Sequence, residues 1–272
     1  MILSIVTIVR HDLPGLRATL DSAARLRSRP DVEHWVIDGS DADHNAVRDH
    51  LAAVAAQSAV KWISERDRGI YDGMNKGLER STGDFVVFLN AGDTFSPLLD
   101  ADLLFERLRS ERCVLLGHTI ETWQGDRWLR PGIGRERDVF AAPPHQATFY
   151  PRSFYATERY RLDRRVTADT DYTRRAMARC GAAYLPTIVS EFALGGVSST
   201  YGKQSPVLTR IRQCGSISGK AKLLFKVVLW NLLSRRAFYR TLAAGKYTRL
   251  RDDHAPITLG GRNVQPLQPA QR

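Results

Sequence analysis

Short apolar runs alternate with amphipathic segments along the first 110 residues of the chain. Continuous runs of apolar and β-branched residues mark buried strands, whereas apolar residues at every third or fourth position mark helices. The runs predict four strands, at residues 2–9, 32–38, 60–64 and 84–90. The amphipathic segments predict four helices, at residues 12–27, 45–57, 71–80 and 97–109. This alternation is typical of an α/β fold with a mainly parallel central sheet and helices on both faces.

Polar groups follow each predicted strand where its apolar run stops. They are Thr7, Asp38, residues 64–68 and residues 90–93. In an open parallel sheet, ligands bind outside the carboxyl ends of the strands. A single polar strand end is usually an ordinary turn, but four that converge on one edge predict a binding site. Because the first helix lacks a G-x-G-x-x-G start, an ordinary dinucleotide-binding fold is not expected.

The composition is that of a globular chain, with 43% hydrophobic and 25% charged residues among 272. Three cysteines, Cys113, Cys180 and Cys214, lie far apart and form no zinc-binding spacing. We therefore expect reduced thiols in a cytoplasmic compartment. The opening residues lack the basic start of a signal peptide, and no apolar run approaches the length of a membrane-spanning helix.

The net charge of +11 is unevenly distributed. Residues 203–251 contain 12 Lys or Arg and no Asp or Glu, so the remainder of the chain is close to neutral. This pattern predicts a body at 1–202, a basic amphipathic helical appendage at 203–251 and a loose tail at 252–272.

Two motifs carry a resemblance to a known family. "DRGIYDGMNKG" (67–77) is followed by "FLNAGD" (88–93), and "LSIVTIV", "WVIDGS", "PHQATFY", "VTADTDYTRRA" and "SEFALGGVSS" occur in the matching order. These segments resemble family 2 glycosyltransferases with the Rossmann-like GT-A fold, and more narrowly their colanic-acid and exopolysaccharide branch. The resemblance implies a nucleotide-sugar-binding half at 1–110 and an acceptor and catalytic half at 111–202. It also implies inverting sugar transfer from a nucleoside diphosphate to a lipid-linked oligosaccharide. A non-catalytic scaffold of the same fold, which binds nucleotide within a polysaccharide assembly complex, is the alternative.

The resemblance places a metal site at the end of the fourth strand. The leaving nucleoside diphosphate gains negative charge, which Mg²⁺ or Mn²⁺ can neutralise when a carboxylate holds the ion. Asp93 is the candidate ligand, with Asn90 contributing a neutral oxygen. The family's D-x-D pattern is reduced here to this one carboxylate, so metal-independent catalysis stays open.

Donor contacts are assigned by the same resemblance. Thr7 and Asp38 are expected to line the nucleoside pocket, and Arg68, beside Asp67, to meet phosphate or base. Asn75 and Lys76 lie on the predicted third helix and are further donor candidates. For Lys76, a solvated helix face is an equally good interpretation.

An inverting reaction needs a base that takes the proton from the acceptor hydroxyl. Asp169 aligns with the family's base and Asp171 is the second candidate, although both also suit the N-terminus of a helix. His145 and Gln146, in "PHQ", are expected to contact acceptor or diphosphate. Gly195 and Gly196 can wrap the diphosphate with backbone N–H groups, or form a plain turn.

The basic appendage suggests a membrane surface. An apolar core at 223–233 is surrounded by basic residues and interleaved with aromatic ones, as in helices that lie in the membrane interface. The set comprises Lys220, Lys222, Lys226, Arg235, Arg236 and Arg240, with Phe225, Trp230, Phe238 and Tyr239. We expect peripheral binding to the anionic cytoplasmic face of the inner membrane, where a polyprenyl-diphosphate-linked acceptor would lie. A helix packed on the catalytic body is the alternative, and a nucleic-acid partner is not expected because no nucleic-acid module accompanies the charge.

Overall fold

The computed structural model describes most of the 272 residues. The ranges that it leaves undescribed are 42–44, 133–142, 165–166, 196–200, 202–206, 215–216, 245–246, 251–256, 260–261 and 265–272.

The first half alternates strands and helices, as the sequence pattern predicts. The strands are β1 (Leu3–Val9), β2 (Val32–Asp38), β3 (Val60–Ser64) and β4 (Phe85–Phe88). The helices are α1 (Leu13–Arg27), α2 (Asn45–Ala55) and α3 (Ile70–Arg80). The four strands are parallel in the order β3-β2-β1-β4. Val9, Asp38 and Ser64 are paired across β1, β2 and β3, so these strand ends meet at one edge.

Side chains of β1 alternate between two apolar layers. Leu3 and Ile5 pack in a cluster with residues of α1, whereas Val6 and Ile8 pack with residues of α3. The layers on the two faces confirm the predicted α/β architecture. Gly77 of α3 lies so close to β1 that an added Cβ would stand 2.3 Å from Val6 Cγ1. This contact explains part of the glycine spacing in "DRGIYDGMNKG".

The fourth predicted helix begins later than expected. The short strand β5 (Thr94–Phe95) precedes it, and α4 spans Ala101–Ser110 rather than starting at Pro97. Asp100 caps α4 because its Oδ1 accepts a hydrogen bond from the Leu103 amide at 3.0 Å.

The second half adds mostly antiparallel pairings to the same sheet. Its elements are β6 (Val114–Trp123), β7 (Asp126–Arg130), a 3₁₀ helix (His145–Ala147), β8 (Thr148–Pro151), α5 (Arg152–Tyr155), α6 (Ala168–Cys180) and β9 (Ala182–Ala193). Strand β8 pairs antiparallel with β4 and β6, and β9 runs parallel to β6. Strands β6 and β7 form a hairpin that turns at Gln124 and Gly125, both with positive φ.

The predicted appendage is more closely joined to the body than its composition suggests. Helices α7 (Val207–Gln213), α8 (Ile217–Leu232) and α9 (Arg235–Ala243) confirm its helical character, but β10 (Thr248–Leu250) pairs with β7 and extends the main sheet. The predicted helical appendage at 203–251 thus also contains one strand. The predicted loose tail contains an antiparallel hairpin of β11 (Ile257–Leu259) and β12 (Arg262–Val264).

Aromatic residues fix the C-terminal helices against the body. Trp230, Phe238 and Tyr239 are buried in a cluster with Trp128 of β7 and Tyr201. Asp126, at the start of β7, accepts hydrogen bonds from three arginines of α9 and β10, Arg236, Arg240 and Arg249. Within the described ranges, no helix is both long enough and apolar enough to cross a bilayer.

Candidate active site

The carboxyl ends of β2 and β3 are held together by Asp38. Its Oδ2 accepts a hydrogen bond from Ser64 Oγ at 2.7 Å, and its Oδ1 accepts one from the Ser40 amide at 2.9 Å. The side chain is fully buried. Asp38 therefore shapes the edge of the sheet, and its contact with a nucleoside stays a prediction.

Thr7 lies inside the sheet rather than at its edge. Strand β1 continues to Val9, and the Thr7 side chain is fully buried with Oγ1 at 2.9 Å from Nε2 of His34. Burial and the nearby Arg27 guanidinium lower the pKa of His34 to about 3, so its imidazole is neutral. Placing Thr7 at a strand end was wrong, because the apolar run extends beyond it. The contact of Thr7 with a nucleoside stays a prediction.

Asp67 and Arg68 lie in the turn that leads into α3. Asp67 Oδ1 accepts the Gly69 amide at 2.9 Å, and its other oxygen lies against the backbone of Gly39. The Arg68 guanidinium donates to Asp72 Oδ1 at 3.0 Å while its side chain stays 78% exposed. Asp67 thus adjoins the β2 end, and Arg68 is accessible to a ligand.

Asn75 and Lys76 have structural partners. The Asn75 amide donates to the Tyr160 carbonyl and accepts from the Tyr160 amide, at 3.0 and 2.8 Å. Lys76 Nζ donates to the Arg66 carbonyl at 2.8 Å and pairs with Glu65 at 3.4 Å. Asn75 therefore joins α3 to the segment before α6, and Lys76 holds the turn after β3. Their predicted contacts with the donor stay predictions.

The segment after β4 forms a tight turn that contains the two candidate metal ligands, Asn90 and Asp93. The Asp93 amide donates to the Asn90 carbonyl at 2.8 Å, and Gly92 between them has a φ of 93°. Burial raises the pKa of Asp93 to about 7, although hydrogen bonds from Gln146 and the Asn90 backbone act in the opposite direction. Among the described residues, buried Asn90 Oδ1 has no hydrogen-bond partner.

The Asn90 side-chain oxygen and the Asp93 carboxylate are suitable ligands for a hard divalent cation. An unpartnered buried oxygen and a carboxylate with a raised pKa would both gain from a positive charge. No group of three or more Asp, Glu, His or Cys suited to a metal occurs in the described part of the chain. Phosphate oxygens of a bound nucleotide would have to complete the coordination shell.

The "PHQ" segment connects this turn to the candidate base. Gln146 Nε2 donates to Asp93 Oδ2 at 3.3 Å. Asn90 Nδ2 donates to His145 Nε2 at 3.2 Å, while His145 Nδ1 lies 3.8 Å from Asp169 Oδ2. Burial lowers the pKa of His145, and Asp169 acts in the opposite direction. The neutral imidazole accepts at Nε2 and carries its proton on Nδ1, facing Asp169.

Asp169 and Asp171 differ sharply in their surroundings. Asp169, in the first turn of α6, accepts from its neighbour's amide (Thr170 N, 2.8 Å) and from the Tyr71 hydroxyl at 3.3 Å, and its side chain is 32% exposed. Asp171 is 14% exposed and lies among three arginines, Arg175 at 3.0 Å, Arg164 at 3.7 Å and Arg161 at 3.8 Å. Of the two, only Asp169 borders the cavity described below. Asp171, the second candidate base, is instead held in ion pairs with these arginines.

Gly195 lies against an aromatic ring. Its φ is 114°, and an added Cβ would stand 2.7 Å from Trp123 Cζ3. The contact with Trp123 accounts for a glycine at this position. Gly196 and the rest of "GGVSS" lie outside the described residues, so the diphosphate role stays a prediction.

A cavity of about 580 Å³ extends from the candidate base toward the C-terminal helices. His145, Gln146, Asp169 and Thr170 line one part of it. Its other walls include Glu121, Trp128, Arg130, Phe192, Leu194, Tyr201, Leu223, Lys226, Tyr239, Leu242, Ala243 and Tyr247.

The sequence did not single out several residues of this region. Tyr71 belongs to the quoted "GIYDGMNKG" motif, and its pKa is raised by burial and by Asp169, so its hydroxyl donates to that carboxylate. Arg130 lines the cavity and pairs with Glu121 at 2.9 Å. Tyr71 had a detectable signal in the motif, whereas Arg130 and Glu121 belong to a hairpin whose placement the local pattern did not show.

The fold and the site together define an α/β glycosyltransferase of the GT-A type. Residues 4–179 match the model of the family described as glycosyl transferase family 2. This match covers more than half of the chain, and the chain belongs to that family. An uncharacterized glycosyltransferase of Mycobacterium tuberculosis is 31% identical over 243 residues, which cover 87% of this chain and 91% of the relative. A glycosyltransferase of Mycobacterium bovis named for PGL/p-HBAD biosynthesis is 28% identical over 239 residues, covering 79% and 91%.

Solved structures share the fold at low sequence identity. Staphylococcus aureus TarS (residues 1–349), crystallised with UDP, superposes with a TM-score of 0.55 at 15% identity, covering 89% of this chain and 75% of that one. The mannosyltransferase PcManGT of Pyrobaculum calidifontis, in complex with GDP-Man and Mn²⁺, gives a TM-score of 0.52 at 17% identity, covering 89% and 75%. Both similarities concern the fold alone.

Proposed function

We propose that this chain is an inverting glycosyltransferase in which Asp169 is the general base. The observation that carries the proposal is the chain of contacts from the turn after β4 to α6. His145 contacts both Asn90 and Asp169, and the adjacent Gln146 donates to Asp93. The dipeptide His145–Gln146 thus lies between two sets of groups. Asn90 and Asp93 on one side suit a diphosphate–metal complex, and the carboxylate of Asp169 on the other side suits proton removal.

The reaction follows from these positions. The acceptor oxygen attacks the anomeric carbon while the bond from that carbon to the diphosphate oxygen breaks. The electron pair leaves with the nucleoside diphosphate, and the acceptor proton passes to Asp169. Tyr71 and the Thr170 amide donate to Asp169 Oδ1, which orients the carboxylate. Oδ2, 3.8 Å from His145, is the oxygen that we assign to the proton.

The donor is a nucleoside-diphosphate sugar held at the carboxyl ends of β2, β3 and β4. Asp38, Asp67 and Arg68 border its nucleoside end in this proposal. Asp93 and Asn90 Oδ1 would hold Mg²⁺ or Mn²⁺, which supplies positive charge to the leaving diphosphate when it is bound. Mn²⁺ in the PcManGT complex supports this assignment by analogy of fold.

We assign the acceptor to a lipid-linked sugar in the synthesis of a cell-surface polysaccharide such as an exopolysaccharide. The support is an unusual surface of α8, on which five apolar residues face solvent along one side of the helix, Ile217, Leu224, Phe225, Val228 and Leu232. Lys220 and Lys222 are exposed on either side of this stripe. Such a helix suits an anionic membrane interface, so we place the protein peripherally on the cytoplasmic face of the membrane.

Helices α8 and α9 present fewer aromatic and basic side chains to a membrane than their sequence suggested. Trp230, Phe238 and Tyr239 are buried, and Arg236 and Arg240 bind Asp126. Packing on the body, the alternative interpretation, therefore accounts for α9 and for one side of α8. The exposed side of α8 is the surface that we assign to the membrane.

Donor hydrolysis tests the catalytic proposal. The purified full chain is incubated with UDP-, GDP- and dTDP-sugars and Mn²⁺, and release of the nucleotide is measured. We expect one nucleotide class to be hydrolysed slowly by the wild type. Asp169→Asn should lose this activity, whereas the neighbouring Asp171→Asn should keep a measurable part of it. Nucleotide-sugar binding without hydrolysis or transfer would favour the scaffold alternative.

A further inference from the structure

Helix α3 reaches the segment around Asp169 through two side chains, Tyr71 and Asn75. Residues four apart in an α-helix lie on the same face, so the two side chains are neighbours on α3. The Tyr71 hydroxyl donates to Asp169 Oδ1 at 3.3 Å. The Asn75 amide binds the backbone of Tyr160, in the segment that leads into α6. Helix α3 is therefore joined both to the carboxylate of Asp169 and to the chain that precedes it.

The ring of Tyr160 connects these two contacts. It is 2% exposed and stacks on the Tyr71 ring, with centroids 5.7 Å apart and planes at 16°. On its other side it stacks on Tyr172, with centroids 4.0 Å apart and planes at 16°. Tyr172 lies on α6 three residues after Asp169, on the same face of that helix. We call Tyr71, Tyr160 and Tyr172 the tyrosine column, which runs from α3 to the helix that carries the candidate base.

Asn75 sets the position of the middle ring of this column. Its Nδ2 donates to the Tyr160 carbonyl at 3.0 Å, and its Oδ1 accepts from the Tyr160 amide at 2.8 Å. A side-chain amide can do this because it carries both donors and an acceptor. Alanine offers neither, and an ionised aspartate offers acceptors alone. Asn75 thus holds both backbone groups of Tyr160, and through the stacked rings it sets where Tyr71 lies.

The Asp169 carboxylate depends on a donor from outside its own helix. Its side chain is 32% exposed, and Oδ1 accepts from the Thr170 amide and from Tyr71. Thr170 is the next residue in the chain and moves with Asp169, whereas Tyr71 belongs to α3. A misplacement of about 1 Å caused by a residue far from the chemistry can reduce a rate by about 10²-fold. The place of the Tyr71 hydroxyl therefore matters for the direction of Oδ2.

We infer that Asn75 and Tyr160 are positioning residues for Asp169 and act through the Tyr71 hydroxyl. The inference rests on the proposed function for the role of Asp169 as base. It gives Asn75 a role that differs from contact with the donor, and the two roles predict different kinetics. Loss of a donor contact raises the KM and Kd for the nucleotide sugar. Loss of a positioning contact lowers kcat and leaves both constants unchanged.

Three positions supply the variants. Tyr71→Phe removes the hydroxyl and keeps the ring, whereas Asn75→Ala frees the Tyr160 backbone and keeps every ring. Tyr160→Leu removes the stacked ring, and Tyr160→Phe retains it. Glu79→Ala, one turn after Asn75 on α3 and 55% exposed, is the matched control. Because Tyr71→Phe changes a single atom, it also serves if Asn75→Ala does not fold.

Donor hydrolysis by the full chain with Mn²⁺ gives kcat and KM, and isothermal titration gives the Kd of the nucleotide sugar. We expect kcat to fall about tenfold in Tyr71→Phe and in Asn75→Ala, with KM and Kd within about twofold of the wild type. Glu79→Ala should match the wild type. Tyr160→Phe should retain most of the kcat that Tyr160→Leu loses, because the stacked ring is still present.

The double variant Tyr71→Phe/Asn75→Ala tests whether the two residues act by one route. Its kcat should equal that of the slower single variant, because both changes act through the same hydroxyl. Losses that multiply would overturn the inference. An Asn75→Ala protein with raised Kd and unchanged kcat would also overturn it, and would make Asn75 a donor contact.

Crystal structures of the same proteins give a result that does not depend on turnover. The Asp169 side chain should occupy one rotamer in the wild type and more than one in both Tyr71→Phe and Asn75→Ala. A carboxylate that is equally ordered in both variants would overturn the positioning role. If the wild type hydrolyses no donor while the two variants still lose this order, the proposed function is overturned and the positioning role is retained.

Discussion

Arg240 and Asp126 are 114 residues apart in the sequence but form a two-point ion pair. Arg240 Nε donates to Asp126 Oδ2 at 3.0 Å, and Nη2 donates to Oδ1 at 2.8 Å. The side chain of Asp126 is 2% exposed. Hydrogen bonds from Arg240 and Arg236 hold the pKa of this carboxyl far below its usual range, against the effect of burial. The pair fixes α9, and with it one wall of the cavity, to the β6–β7 hairpin.

We therefore expect Asp126→Asn to loosen the C-terminal helices. Three arginines would lose the anion that they share, although their own exposure limits the loss of stability. Thermal unfolding should occur roughly 2–6 °C lower than in the wild type. Limited trypsin digestion should cut first within α9 or β10. Asp102→Asn, at an exposed position in α4, is the control. An unchanged trypsin pattern would show that the aromatic cluster alone holds the helices.

Asp169→Asn should reduce sugar transfer by about 10²–10⁴-fold, as expected for loss of a general base. Binding of the nucleotide sugar, measured by isothermal titration, should be retained. Asp171→Asn should instead lower the melting temperature, because it removes the negative charge that faces Arg175, Arg164 and Arg161, while transfer falls less. The reverse result, with Asp171→Asn the more damaging to kcat, would remove Asp169 from the role of base.

Gln146→Ala should weaken Mn²⁺-dependent nucleotide binding by about 10–100-fold, the usual effect of removing a group that orients a metal ligand. Its amide donates to Asp93 Oδ2, so its loss would free that carboxylate to rotate. Asp93→Ala should have a larger effect. Titration of UDP or GDP in EDTA supplies the comparison, because both variants should then match the wild type. Activity that persists in excess chelator would point to metal-independent transfer.

The lowered pKa of Glu33 predicts that the free energy of unfolding decreases in acid. Burial alone would raise the pKa of this β2 residue, but hydrogen bonds from Ser4, Thr82 and Lys61 lower it to about 2. Between pH 4.5 and 2 the unfolded chain binds a proton there that the folded chain does not, so stability falls as the pH is lowered through this range. Chemical denaturation at several pH values should show a shallower acid decline for Glu33→Gln than for the wild type. Parallel declines would exclude this contribution.

The exposed stripe of α8 predicts binding to lipid. Wild-type protein should co-sediment with vesicles that contain phosphatidylglycerol, less so with added salt, and weakly with neutral vesicles. Replacing Phe225 and Leu232 by serine should abolish binding. Leu208→Ser, at an exposed apolar position of α7, is the matched control. Equal binding to neutral and anionic vesicles would contradict the contribution of Lys220 and Lys222.

Local patterns were sufficient for the first half of the fold. The predicted strands at 32–38 and 60–64 coincide with β2 and β3, because continuous apolar runs bounded by polar turns are properties of neighbouring residues. The β6–β7 hairpin and β9 were not predicted. Their pairing depends on contacts such as Leu115 with Ala183, whose register is set by partners distant in sequence.

The candidate site was predictable to the extent that motifs marked it. The resemblance indicated Asn90, Asp93, His145, Gln146 and Asp169. In the structure, hydrogen bonds join His145 to Asn90 and Gln146 to Asp93, and a longer contact joins His145 to Asp169. The resemblance did not show that both ends of the Asn75 amide contact the Tyr160 backbone, because a motif carries no information about partners distant in the sequence. The cavity wall was hidden for a related reason, since the apolar residues of α8 carry no sign of which side faces inward.

The pairing of β10 with β7 also sets an order on the assembly of the protein during synthesis. A ribosome completes Asp126 well before it reaches Arg249, so the β6–β7 hairpin emerges without the edge strand and the arginines that it later binds. Domains can fold as the chain is made, N-terminal parts first. The sheet edge with Asp38 and Ser64 can thus be formed while the wall contributed by α8 and α9 is still absent, and a product truncated before residue 217 would contain the segments of β1 to β9 but lack that wall of the cavity.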